Sequence, residues 1–358
     1  MGIYIRSSGL ISPQHTHNAT EFPLQIYNGV SNRLSCIEPD YKTLINPILL
    51  RRMPRILKMG LASAQLCISR SGCINPDGII VGTGLGCLDN LEKFLMDVLE
   101  NNEHVTTVLP FINSTHNAVA AQISMLLKNQ KYNTTYCHRS FSFETAVLDA
   151  MMIIEEDSGK KVLVGGIDEC TPDFILLHSY LNAWKKPLNN LALLSQKTSG
   201  TIAGEGSGFF MVSGERGEDR NAVSIEGVHT FLTSETAETT EIWSHIDSFL
   251  DDHSIRLKDI DAVVLGINGD FRNDLKYYDL AKSCFPDQDK LYYKHLCGEY
   301  YTSGAFAVWL CSVILGNKVI PDILKLYPAQ HSLLKTILIY NQVNNTEHSL
   351  ICMKHDCL

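Results

Sequence analysis

Three runs of this chain are apolar at most positions and are bounded by glycine: Gly78-Ile-Ile-Val-Gly-Thr-Gly84, Val162-Leu-Val-Gly-Gly-Ile-Asp-Glu169 and Ala203-Gly-Glu-Gly-Ser-Gly-Phe-Phe-Met-Val212. A strand of that kind has no polar face to turn to water, so it must be covered on both sides. Residues 3–11, 223–230, 261–267, 336–340 and 349–353 read as further strands. Apolar residues at helical spacing mark 55–70, closed by Gly72, and also 91–99, 115–127, 141–155, 238–250, 274–284 and 304–315. Asp89 or Asn90 is placed to cap the helix at 91–99. Buried strands alternating with helices predict an α/β fold in layers. Residues 170–201 read as irregular, and the polar stretch Arg216 to Arg220 is the best boundary between two halves, 1–215 and 222–358.

Length and charge narrow the function. The chain has 358 residues, enough for one large domain or two modest ones. A net charge of −9 argues against nucleic acid as a partner, because phosphate binding rests on clustered Lys and Arg. No run is long enough to span a bilayer, residues 305–315 included. The apolar run after Met1 is short for a secretion signal. The eleven cysteines are an odd number with no Cys-x-x-Cys spacing. We therefore expect reduced thiols packed as small hydrophobes, a cytoplasmic location, and neither a metal nor a cofactor.

The segment Cys-His-Arg-Ser-Phe-Ser-Phe-Glu-Thr-Ala-Val-Leu-Asp-Ala (137–150) is a turn followed by a helix, and the helix leads into the strand that ends at Gly165-Gly166. With Arg51-Arg-Met-Pro-Arg-Ile-Leu-Lys-Met-Gly60, Val81-Gly-Thr-Gly-Leu-Gly86 and Ala203-Gly-Glu-Gly-Ser-Gly208 in the same order, the chain resembles the β-ketoacyl synthase family of the thiolase fold over nearly its full length. The resemblance implies two similar halves in a five-layered α-β-α-β-α core, and a dimer built on adjacent sheets.

It also implies a catalytic set that this chain has lost. The family presents a cysteine at the turn, its thiol acidified by the helix N-terminus, and two histidines that assist decarboxylation and stabilise the enolate. Ser140 stands at the cysteine position, Asn268 at the first histidine and Glu299 at the second. The accompanying lysine is retained as Lys294 in Lys-His-Leu-Cys-Gly298, and the family's Gly-Phe-Gly-Gly loop is replaced by Gln342-Val-Asn-Asn-Thr346. Loss of the nucleophile alone would leave a decarboxylase, but that activity needs both histidines. The whole pattern resembles a chain-length factor, most closely the partner subunits of aryl-polyene and flexirubin-type clusters. Such a subunit pairs with an active ketosynthase and shapes its acyl tunnel, with Phe111 and residues 113–116 as candidates at the seam.

Two further expectations concern single residues. Ser140 is expected to cap the helix at 141–155; the rival is a serine nucleophile with His138 as base and Glu144 or Glu299 as acid, making the chain an acyltransferase or divergent condensing enzyme. Cys137, three residues early, is expected to be an ordinary thiol, and His116, His178 and His229 have no assigned place. Glu299 is expected either to be buried against Lys294 or a partner's arginine, or to sit exposed in a filled cleft. Arg51, Arg52, Arg55 and Lys58 concentrate positive charge at a helix start, where the family docks an acidic acyl carrier protein or a partner chain. A third reading is a homodimeric acyl-binding scaffold.

Overall fold

In a computed structural model of the chain, residues 2–18, 21–23, 25–104, 108–217, 222–331 and 333–356 are described. The main strands are β1 (Ile3–Ile11), β2 (Gly78–Gly82), β3 (Tyr132–Tyr136), β4 (Lys161–Asp168), β5 (Gly206–Ser213), β6 (Val223–Leu232), β7 (Ala262–Leu265), β8 (Asp289–Tyr292), β9 (Thr336–Val343) and β10 (Glu347–His355). The helices that matter below are α1 (Arg55–Ser71), α2 (Leu88–Glu100), α3 (Val108–Asn113), α4 (Ala118–Leu127), α5 (Ser142–Glu156), α6 (Pro172–Tyr180), α7 (Thr239–Asp252), α8 (Phe271–Ser283) and α9 (Gly304–Asn317).

The strands hydrogen-bond in the order β8-β7-β9-β10-β6-β1-β5-β4-β2-β3. Read outward from the centre, one half runs β1, β5, β4, β2, β3 and the other repeats it five strands later as β6, β10, β9, β7, β8. The halves join where β1 pairs antiparallel with β6 through Ile3–Ile225, Tyr4–Ser224 and Ile5–Val223.

Three apolar clusters define the layers. Phe143, Ala146, Val147 and Ala150 of α5 pack with Phe306, Trp309 and Leu310 of α9 between strands of both halves. Helices α1 and α4 cover the outer face of the first half, and α7 and α8 that of the second. The result is the expected α-β-α-β-α arrangement. Its middle layer explains why α9 is apolar all round: sheets lie on both sides of it. Among the described residues no helix is long and apolar enough to cross a membrane.

Several boundaries differ from the sequence reading. Residues 170–201 contain α6, begun by Thr171, whose Oγ1 accepts the Phe174 N–H at 3.2 Å, and by Pro172 at the first turn. Helix α2 starts at Leu88, so Asp89 and Asn90 lie inside its first turn and cap nothing. Helix α4 begins at Ala118 rather than at 115. Strands β3 and β8 carried no apolar run and were not expected. The stretch Arg216 to Arg220 lies partly outside the described residues. The described cysteines are free, and no group of three or more metal-ligating side chains occurs among the described residues.

Candidate functional site

Two glycines bring the site together. A Cβ at Gly82 would lie 2.3 Å from the Ser142 carbonyl oxygen, so the end of β2 touches the start of α5 only because the side chain is absent. A Cβ at Gly204 would meet the Cys297 carbonyl oxygen at 2.1 Å. That close approach lets the Glu299 N–H donate to Ile202 O at 2.8 Å and the Gly204 N–H to Glu299 O at 2.9 Å. The glycine-rich segment before β5 thus fixes the backbone that carries Glu299.

Asn268, Lys294 and Glu299 meet in one cluster. Lys294 Nζ donates to both carboxylate oxygens of Glu299, at 2.7 and 2.8 Å, and the lysine is fully buried. Asn268 Nδ2 donates to Glu299 Oε2 at 2.7 Å, while its Oδ1 accepts the Asp270 N–H at 3.0 Å. Of the two expectations for Glu299, the pairing with Lys294 is observed, but the carboxylate is half-buried rather than enclosed, and the cleft beside it is open rather than filled. Behind Asn268 stands Asp274, which accepts the N–H groups of Asn268 and Gly269 at 3.1 and 2.8 Å. Burial pushes the Asp274 carboxyl up to about 7 despite those donors.

Ser140 is elsewhere. It is buried in a turn of 3-10 helix, Arg139–Phe141, ahead of α5, and Arg139 carries a left-handed φ of +46°. Its Oγ donates in a short hydrogen bond to Glu347 at the start of β10. The expected helix cap is therefore corrected: Phe141 stands at the cap position of α5 with no side-chain cap bond, and Ser142 Oγ instead braces the preceding turn, accepting the His138 N–H at 2.8 Å and donating to Arg139 O at 2.7 Å. Neither member of the rival triad reaches Ser140. The His138 ring packs on Phe141, and Glu144 Oε1 accepts from Ser349 Oγ at 3.2 Å. Glu144 is fully enclosed, and burial raises its carboxyl to about 7. Cys137 is exposed, as an ordinary surface thiol.

The loop that replaces the glycine-rich one keeps a tight turn. Asn344 and Asn345 have φ of +54° and +56°, and the Thr346 N–H closes on Val343 O at 3.1 Å. Asparagine supplies the left-handed backbone there. Gln342, Val343 and Asn344 form one wall of an open cleft of about 190 Å³. Asn268, Asp270 and Glu299 form another, and Glu169, Phe174, His178, Trp184, Tyr300 and Tyr301 the rest. Ser140 does not line it. The aromatic residues of α6 and its following loop were hidden in a stretch that read as irregular; the Thr171-Pro172 pair was the signal for them.

A second buried carboxylate corrects the basic segment. Arg55 Nη1 and Nη2 donate to Glu205 Oε2 and Oε1 at 2.8 and 2.6 Å, and Nε donates to Glu38 at 2.5 Å. The Cys36 and Cys170 N–H groups also donate to Glu205. Burial alone would raise the Glu205 carboxyl, but these donors, Arg55 foremost, hold it below its usual range. Arg55 is thus a structural ion-pair member, with about a third of its side chain still exposed. Arg51 and Arg52 are exposed and Lys58 half-buried, so those three remain at the surface. A third carboxylate, Asp168 at the end of β4, accepts from Thr83 Oγ1 and the N–H groups of Gly84 and Leu85, and from the N–H and Oγ1 of Thr302 just before α9, all within 3.0 Å. Of the other histidines, His178 lines the cleft, His116 lies against Gly86, and His229 stacks on Phe231.

Two layered halves repeating one strand order, with an open cleft beyond the strand ends, define a thiolase-like α/β fold. The family assignment follows from sequence: the β-ketoacyl synthase N-terminal domain matches residues 36–240, and the chain belongs to that family. Among curated proteins none matches the sequence. Among solved structures, a β-ketoacyl synthase from Burkholderia phymatum is similar at a TM-score of 0.78 and 12% identity, covering 99% of each chain. A ketosynthase in complex with its chain length factor from Xenorhabdus doucetiae is similar at 0.74 and 14% identity, covering 99% of this chain and 98% of that one. A type II polyketide synthase acyl-carrier protein in complex with its ketosynthase bound to the hexaketide is similar at 0.73 and 13% identity, covering 99% of both. At these identities the likeness is one of fold.

Proposed function

We propose that the chain is a non-catalytic, chain-length-factor-like partner of an active β-ketoacyl-carrier-protein synthase, in a type II polyene or fatty-acid-like pathway. The observation that carries this reading is the pairing of the three former catalytic positions. Asn268 and Glu299 are tied to each other and to Lys294, and Ser140 is tied to Glu347. None of the described histidines is hydrogen-bonded to Ser140, so no imidazole base of the kind the serine reading requires faces its hydroxyl. The aryl-polyene or flexirubin-type subclass is the finer form of this proposal, and it rests on the short chain and the Gln342–Thr346 loop.

The surface supports a partner. Strand β3 ends the sheet order on one side, and Leu148 and Met152 of α5, Met125 of α4 and Tyr132 of β3 are exposed beside it. The other end is covered, because residue Lys325 bridges to Leu291 of β8. An uncovered edge flanked by apolar side chains is a pairing surface. We place the ketosynthase there, with Phe111 and residues 113–116 near the seam.

Co-expression with an active ketosynthase of the same source tests the reading. The chain is expected to co-purify as a heterodimer and, alone, to form no 3-ketoacyl product. A stable homodimer that ignores the ketosynthase would favour the scaffold alternative. A mass gain on Ser140 after incubation with acylated carrier protein would instead establish the serine enzyme.

A further inference from the structure

The open cleft has a charge pattern that its volume alone does not suggest. Its walls are largely aromatic and aliphatic: Leu85, Phe174, Trp184, Tyr300, Tyr301 and Val343. Phe174 lies 3.9 Å from His178 and 6.2 Å from Trp184 between ring centroids, and the rings, tilted by 34° and 49° to that of Phe174, form one continuous aromatic wall. The charged residues that line the cleft are Glu169, Asp270 and Glu299, and no described lysine or arginine does so. Lys294, the cation that faces Glu299, is fully buried and gives its ammonium to both oxygens of that carboxylate. The Glu169 carboxyl is buried, with Oε1 accepting the Asp89 N–H at 3.1 Å. An entering carboxylate or phosphate would lose its hydration and meet three carboxyl groups with no free positive partner. A flat apolar body would instead displace water from aromatic walls.

We propose that this cleft is a ligand site in its own right, selective for a planar apolar molecule that bears no negative charge. Such a site would let a subunit without chemistry of its own hold an aromatic or conjugated molecule, and would bar free carboxylic acids from it. The inference is independent of the ketosynthase partnership, since its test uses this chain alone whereas the partnership is tested by co-purification.

Three molecules of nearly one shape separate the possibilities: 2-naphthamide, 2-naphthoate and 2-naphthamidine, each titrated calorimetrically into the full-length chain at pH 8. The neutral amide and the cationic amidine are expected to bind, and the anionic naphthoate at least tenfold more weakly. Trp184→Ala is expected to weaken the amide by tenfold or more. Glu169→Gln is expected to narrow the gap between amide and naphthoate without loss of amide binding. Equal or tighter binding of naphthoate overturns the proposal, as does failure of the amide and the amidine to bind at millimolar concentration. Far-ultraviolet circular dichroism and thermal melting establish that each variant is folded. An unchanged amide affinity in folded Trp184→Ala also counts against the cleft as the site.

Discussion

In the proposed reading, Glu299 stands at a histidine position of the family without leaving its charge unpaired. A half-buried carboxylate is costly to hold unless a cation faces it, and Lys294 faces it with both bonds made. Removing one partner leaves the other uncompensated, so Lys294→Met is expected to lower unfolding free energy by about 3 kcal/mol in urea titration. The double variant Lys294→Met/Glu299→Gln is expected to regain much of that loss. Glu144 behaves in the opposite sense to an ordinary acid. Folded, it keeps its proton to about 7, against an ordinary value of 4.5. The folded chain therefore binds the extra proton between those values. The associated stability is complete below pH 4.5 and is lost as pH rises through 7. Glu144→Gln is expected to match the parent near pH 4.5 and to exceed it by about 2–3 kcal/mol at pH 8, read from denaturant melts. The three substituted positions were legible in the sequence because each sits beside a motif that survives. Glu347 was not, since 207 residues separate it from Ser140.

At the scale of elements, apolar patterning located what is buried on both faces and passed over what is not. Strands β2, β4 and β5 announced themselves as unbroken runs. Strand β3, Tyr132-Asn-Thr-Thr-Tyr136, is a polar edge with half-exposed side chains and carries no such run. Helix α6 has no buried residue and a mixed pattern, so only its cap and proline marked it. The hairpin between β9 and β10 shows local chemistry replacing a glycine motif. Asn344 is exposed with φ of +54°, so Asn344→Val is expected to cost about 1–2 kcal/mol, while Asn344→Gly stays within about 0.5 kcal/mol of the parent. Thermal melts of the two variants check this directly.

At the scale of the whole molecule, the layering was legible because buried apolar strands alternate with helices, while the two similar halves were implied only by the family resemblance. What the sequence could not convey was direction: four basic residues stand together in the chain, and one of them points inward. If carrier protein docks on this segment, charge reversal at Arg51, Arg52 and Lys58 is expected to weaken its association at least tenfold at low salt and leave the melting temperature within a few degrees. Arg55→Met should instead lower stability by about 3 kcal/mol through the stranded Glu205. A surface-plasmon titration over a salt series, set beside melting curves, distinguishes the two roles.

The seam between β1 and β6 also fixes a sequence of events during synthesis. Strand β1 leaves the ribosome ahead of both its partners, residues 207–213 on one side and Val223, Ser224 and Ile225 on the other. At roughly 5–20 residues per second, those partners follow about 10–40 s later. Through that interval a nascent chain carries an unpaired first strand and an unclosed first half, so it is a client for chaperones or for an already folded partner subunit long before its own second half exists.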